Sequence, residues 1–159
     1  MKLEDRKWYP YVILLIFYGV AAFWFHLGPG RQPQLLLTAV GGIAGLGYFL
    51  YRQHIDETKL FKDLFNEFNS RYDALKDHLN GMISGSPASL LSAQERDRLF
   101  AYFNLCAEEY FFYKAGYIDK RVWDSWSGGM KVFFKDQRIR KLWEEENQTG
   151  SYYGFRPPL

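Results

Sequence analysis

Apolar and polar positions follow two regimes along the chain. From Trp8 to Tyr51 nearly every side chain is apolar or uncharged, and only Arg31 carries a charge. Beyond Arg52, apolar residues recur at helical spacing among charged ones. The first regime predicts two membrane spans, about residues 10–27 and 35–51, because a helix of roughly 20 apolar residues matches the hydrocarbon core. Trp8, Tyr9, Tyr11 and Trp24 flank the first span and Tyr48, Phe49 and Tyr51 close the second, where amphipathic rings favour the headgroup level. Between them, two glycines and two prolines in Gly28–Pro33 predict a polar turn, since proline removes a helical hydrogen bond. Residues 1–52 therefore read as a membrane hairpin.

The second regime, residues 53–159, predicts a small cytoplasmic helical bundle in an all-α protein. Phe61, Phe65, Phe68, Tyr72, Leu75, Leu79 and Met82 alternate steps of four and three residues, a heptad seam on a helix over about 56–80. Neither proline nor glycine intervenes between Leu50 and Asn80, so the second span is free to continue into it. The seam fits either packing on the chain's own domain or an intermolecular coiled coil. Gly81, Gly85, Ser86 and Pro87 then predict a loop. Ser92 and Glu95 have capping-box spacing and open a helix over about 93–115, which Gly116 stops. Leu99, Phe103, Cys106, Tyr110 and Tyr113 mark its apolar face. Asp119 caps a helix over about 120–134 containing Trp123, Trp126 and Met130, with Gly128-Gly129 as a weak point. A helix over about 136–147 presents Ile139, Leu142 and Trp143. The aromatic tail from Ser151 is expected to dock on the bundle.

Charge refines the topology. The net charge of +2 is too small for bulk attraction to nucleic acid. Lys2, Arg6 and Lys7 precede the first span and Arg52, Lys59 and Lys62 follow the second, against Arg31 alone in the turn. The excess places both termini in the cytoplasm. A cleavable signal peptide competes for the first span, with Gly19-Val-Ala21 as its small-x-small site. Glu4 and Asp5 in the basic flank, and apolar residues running past that site, argue against it.

Candidate chemistry is sparse. Cys106, the sole cysteine, has no partner for an internal disulfide, which fits a reducing compartment. Its place on an apolar helix face predicts an inert buried thiol rather than a nucleophile served by His78. The three histidines lack metal-ligand spacing, His26 reads as an interfacial polar residue, and no nucleotide-binding or hydrolase motif occurs. Neither catalytic residue, metal nor cofactor is expected. Glu108-Glu109 and Glu144–Glu146 read as solvated faces. Thr38, Gly41, Gly42 and Gly45 recur at helical spacing in the second span and let backbones approach closely, against the first span or a second protomer. Lys131, Lys135 and Arg138 are the candidate partner contact, for anionic lipid or phosphates.

The order of parts carries a resemblance. The two-span anchor, the segment Phe61–Tyr72, the aromatic-acidic segment Tyr102–Lys114 and Val122–Met130 together resemble a class of small bacterial two-transmembrane proteins. By architecture the chain is similar to the two-transmembrane effector of a retron anti-phage system. That resemblance implies an inner-membrane toxin held inactive by a regulatory partner, a reverse transcriptase with its DNA–RNA product, until infection. It supplies no catalytic residues. A membrane-tethered adaptor that binds a protein partner is the alternative.

Overall fold

The computed structural model describes residues 8–26, 33–85, 90–148 and 150–158. Among these the protein is all-α, with no strand. Its helices are α1 (Tyr9–His26), α2 (Pro33–Ser84), α3 (Ala93–Lys114), α4 (Lys120–Phe133) and α5 (Gln137–Asn147). The N-terminal flank, the Gly28–Gln32 turn and Ser86-Pro87 lie outside the described residues. The chain divides into two compact units, Met1–Lys59 and Leu60–Leu159, so the boundary falls within α2.

In the first unit α1 and α2 expose apolar side chains along their length, including Leu14, Leu15, Phe23, Phe25, Leu37 and Phe49. α2 is the one described helix long and apolar enough to cross a membrane, and none of its apolar window is buried inside the fold. The apolar stretch of α1 is shorter. The two helices meet along a narrow strip. Leu36, Ala39, Val40, Ile43, Gly47 and Leu50 are half-buried on the apolar part of α2, and Ile13, Val20, Ala21, Ala22 and Trp24 on α1. At its centre the Ile13 side chain lies 3.9 Å from where a Cβ on Gly47 would sit.

The second unit is built around α3. Ser92 caps it as its spacing predicts: its side chain accepts from the Glu95 N–H at 3.3 Å, and the Glu95 carboxylate accepts from the Ser92 N–H at 2.7 Å. Asp119 and Asp136 cap α4 and α5 one-way, their side chains accepting from the backbone N–H groups of Arg121 and Arg138. α3 ends at Lys114, with Gly116 in the left-handed region at φ 85°. α4 runs through Gly128-Gly129 as one helix. Aromatic rings fill the core. Phe103 stacks on Phe134 at 5.7 Å and meets Trp143 edge-on at 5.2 Å. The tail docks as expected: Tyr153 and Gly154 both take positive φ, and the tight turn sends Tyr152 and Phe155 into the core against Trp143.

α2 continues past the predicted end at residue 80, through Gly81 to Ser84. Met82 is buried, and its backbone carbonyl accepts a hydrogen bond from Arg138 Nη2 at 2.6 Å. A helix C-terminus leaves its last carbonyls without intrahelical partners, and a guanidinium satisfies one here. The same guanidinium pairs with Asp136 at 2.6 Å, with both side chains nearly buried. Hydrogen bonding to Arg138 holds the Asp136 carboxyl below the usual aspartate range. Its contribution is therefore complete above that range and disappears as the pH falls through the depressed value. Asp136→Ala removes a helix cap and this pair, and is expected to lower stability by about 2 kcal/mol. Thermal melting of the full chain in maltoside micelles at neutral pH checks this, with a fall of about 10 °C expected.

Candidate functional site

Each of the three sequence-derived clusters has a definite place. The heptad seam is spent inside the second unit: Phe68, Leu75, Leu79 and Met82 are buried, and Phe61 and Tyr72 are partly buried against the core. Phe65 departs from the pattern. Leu64 takes the buried position, and the Phe65 ring stacks on Trp126 at 5.9 Å. A three-residue step from Phe61 to Leu64 keeps the stripe on the same face of α2, which a four-residue step overshoots.

The small residues of α2 lie on a different face from the one touching α1. Gly41, Gly42 and Gly45 are exposed, and a Cβ added at any of them meets nothing within 4 Å. At about 100° per residue, Thr38, Gly41 and Gly45 fall roughly opposite Leu36, Ile43 and Gly47. The Thr38 hydroxyl donates to the Gln34 carbonyl of its own helix at 2.9 Å. Gly47, absent from the sequence-derived set, is the glycine that admits α1.

The basic cluster is divided. Lys131 lies in α4, Arg138 in α5, and Lys135 in the connection between them, so the three share no single helix. Lys131 and Lys135 are exposed. Arg138 is committed to Asp136 and to the end of α2.

The site that sequence reasoning misses is a cavity of about 170 Å³ in the second unit, between α3, α4 and the Leu60–Ser84 part of α2. Tyr102, Leu105, Glu109 and Met130 form its buried floor. Tyr72 and Trp126 make half-buried walls, and Asn69, Ser125 and Gly129 surround the opening. Glu109 corrects the expectation of a solvated acidic pair, because its side chain is only 5% exposed. Its neighbour Glu108 is the half-buried partner of Arg71, bonded through both carboxylate oxygens at 2.5 and 3.2 Å.

Burial raises the Glu109 carboxyl to about 8, against a weaker opposing pull from Arg71, and the charge of Glu108 adds to the rise. A carboxyl raised to about 8 holds its proton at pH 7. Beside it lie the Tyr102 hydroxyl and the Cys106 sulfur, and burial pushes the Cys106 thiol well up. A thiolate is correspondingly scarce at Cys106, while His78 is exposed. No three His, Cys, Asp or Glu side chains converge as a metal site among the described residues.

One signal in the sequence does point to Glu109. Tyr102, Cys106, Glu109 and Tyr113 follow steps of four, three and four, so the carboxyl occupies a stripe of otherwise apolar side chains.

Comparison with family models, with curated proteins and with solved structures finds no match to this chain.

Proposed function

We propose that the chain is a two-span bacterial inner-membrane effector, with both termini cytoplasmic, whose hairpins associate and permeabilise the membrane when a regulatory partner releases it. The observation that carries this reading is the open face of α2. Gly41 and Gly45 face away from α1 with free space above them, so a second α2 has a surface for close backbone approach. Two further features support it. Large apolar side chains of both helices are exposed along their length, as a lipid environment accepts. The heptad seam is consumed within the second unit, which leaves the glycine face as the main helical surface for self-association. The partner is a regulatory protein or a ribonucleoprotein, such as a reverse transcriptase with its DNA–RNA product, and the exposed Lys131 and Lys135 suit its phosphates.

Gly41→Ile combined with Gly45→Ile fills that face with branched side chains. Induced expression of the wild type without a partner is expected to arrest growth and admit a membrane-impermeant dye. The double variant, at equal abundance in the membrane, is expected to keep dye uptake at the level of uninduced cells. Normal growth and an intact membrane potential on wild-type expression overturn the effector reading.

A second reading, a membrane-tethered adaptor, draws support from the pocketed second unit. It predicts that exchanging both spans for an unrelated hairpin preserves function.

A further inference from the structure

The floor and walls of the Glu109 cavity combine two features. One is the Glu109 carboxyl itself, which lines the cavity on a residue only 5% exposed. The other is a set of aromatic side chains, Tyr72, Tyr102 and Trp126, that line the same cavity. Aromatic faces attract organic cations through their quadrupoles, and cages of such rings recognise methylated ammonium groups. The volume is right for a small guest: an apolar cavity of about 150 Å³ holds benzene.

We propose that this cavity binds a small organic ammonium ion, a methylated amine or a quaternary ammonium group, with Glu109 as its counter-ion and Trp126, Tyr72 and Tyr102 as its aromatic walls. The cation enters past Ser125 and Gly129. The aromatic walls replace part of its hydration, and the carboxyl supplies the neutralising charge once its proton leaves to water. The assignment belongs to the second unit and stands whether or not the hairpin permeabilises membranes.

The ionisable groups acting on Glu109 set how binding depends on pH. From α2 they are Arg71 and Tyr72; from α3 itself they are Glu108, Tyr102 and Cys106. The α4 side of the cavity, Ser125 to Met130, contributes no ionisable side chain. Arg71 is already neutralised by Glu108, and both tyrosines and the thiol are shifted up, so they stay protonated through the neutral range. Glu109 alone titrates there. Cation binding must therefore expel its proton, and the apparent affinity is expected to rise about tenfold for each pH unit from 6 to 8 and then level off.

The test is calorimetric and fluorescence titration of the full chain in maltoside micelles, free of choline-type detergent. The probes are the series from methylammonium to tetramethylammonium, and choline beside its uncharged isostere with carbon in place of nitrogen. Expected are saturable binding of at least one cation, release of close to one proton per cation at pH 6.5, and no binding of the isostere. Glu109→Gln is expected to abolish both the pH dependence and the proton release. Gly129→Leu, at a helical position where a Cβ meets open space, is expected to block the opening with the melting temperature retained. Failure of every cation to bind overturns the assignment. So does binding of the isostere as tightly as choline, which marks a neutral ligand, or cation binding that Glu109→Gln leaves unchanged.

Discussion

Phe103→Ala is expected to lower the stability of the second unit by about 4 kcal/mol, the range set by truncating a fully buried aromatic side chain. Phe103 is 0% exposed and sits where three elements meet. Its ring stacks on Phe134 at 5.7 Å, meets Trp143 edge-on at 5.2 Å and approaches Tyr152 at 6.4 Å. The truncation therefore removes apolar burial and three ring contacts at once, and Phe134, Trp143 and Tyr152 each have other rings that hold them in place. The void has little prospect of collapse, which puts the cost toward the upper part of the range. A domain of this size has a total stability of only about 5–15 kcal/mol, so the variant should melt about 20 °C lower. Val132→Ala, at a site 53% exposed, is the control and should shift the midpoint by less than about 0.5 kcal/mol equivalent. Coincident melting curves for Phe103→Ala and the wild type show that the aromatic cluster does not hold the unit together.

Local signals were legible in the sequence wherever one helix turn contained all the partners. Ser92 with Glu95, Asp119 and Gly116 each act on backbone within four residues, and the helix boundaries of α3, α4 and α5 agree with the sequence expectation to within one residue. The heptad seam was legible for a similar reason, since periodicity reports one face of one helix. It failed only at Leu64 and Phe65, where a three-residue step from Phe61 buries Leu64 and leaves the Phe65 ring half-exposed against Trp126. The pieces that stayed hidden depend on long-range partners. Arg138 stands in a basic run that invites a surface reading, and its partner, the Met82 carbonyl, lies 56 residues away. Nothing in the local pattern around Arg138 encodes that meeting.

Glu109 was hidden for a different reason. Its helix, α3, is buried on more than one side: Leu99, Tyr102, Phe103, Leu105, Cys106 and Ala107 are all below 3% exposure. An assignment of one apolar face leaves the remaining turns to solvent, and two adjacent acids then look like a solvated pair. A helix that is apolar nearly all round is a central helix, and an acid on it is buried by position. The two acids part company by one step of 100°: Glu108 reaches Arg71, while Glu109 turns into the cavity.

Glu109→Gln should stabilise the unliganded protein at alkaline pH and flatten its dependence on pH. In the unfolded chain a glutamate ionises near its ordinary value of 4.5, whereas in the fold Glu109 holds its proton to about 8. Between these values the unfolded state binds fewer protons than the native one, so stability falls as the pH rises. The loss is absent below the unfolded value, grows steadily across the window and becomes constant once the folded carboxyl also ionises. A gap from 4.5 to about 8, at about 1.4 kcal/mol for each pH unit, comes to about 5 kcal/mol. Glutamine keeps the volume and remains neutral throughout, so it removes this cost while leaving one polar amide against the cavity. Urea midpoints at pH 5, 7 and 9 check the expectation: the wild type should weaken steadily, and the variant should lie close to it at pH 5 and well above it at pH 9. A variant that tracks the wild type at all three values shows the carboxyl already ionised in the fold. An ammonium ligand should reproduce part of the variant's effect at pH 9 by giving the buried carboxylate a counter-charge. A neutral acid at pH 7 is thus both a stability liability toward alkaline pH and the group that makes the cavity selective for cations.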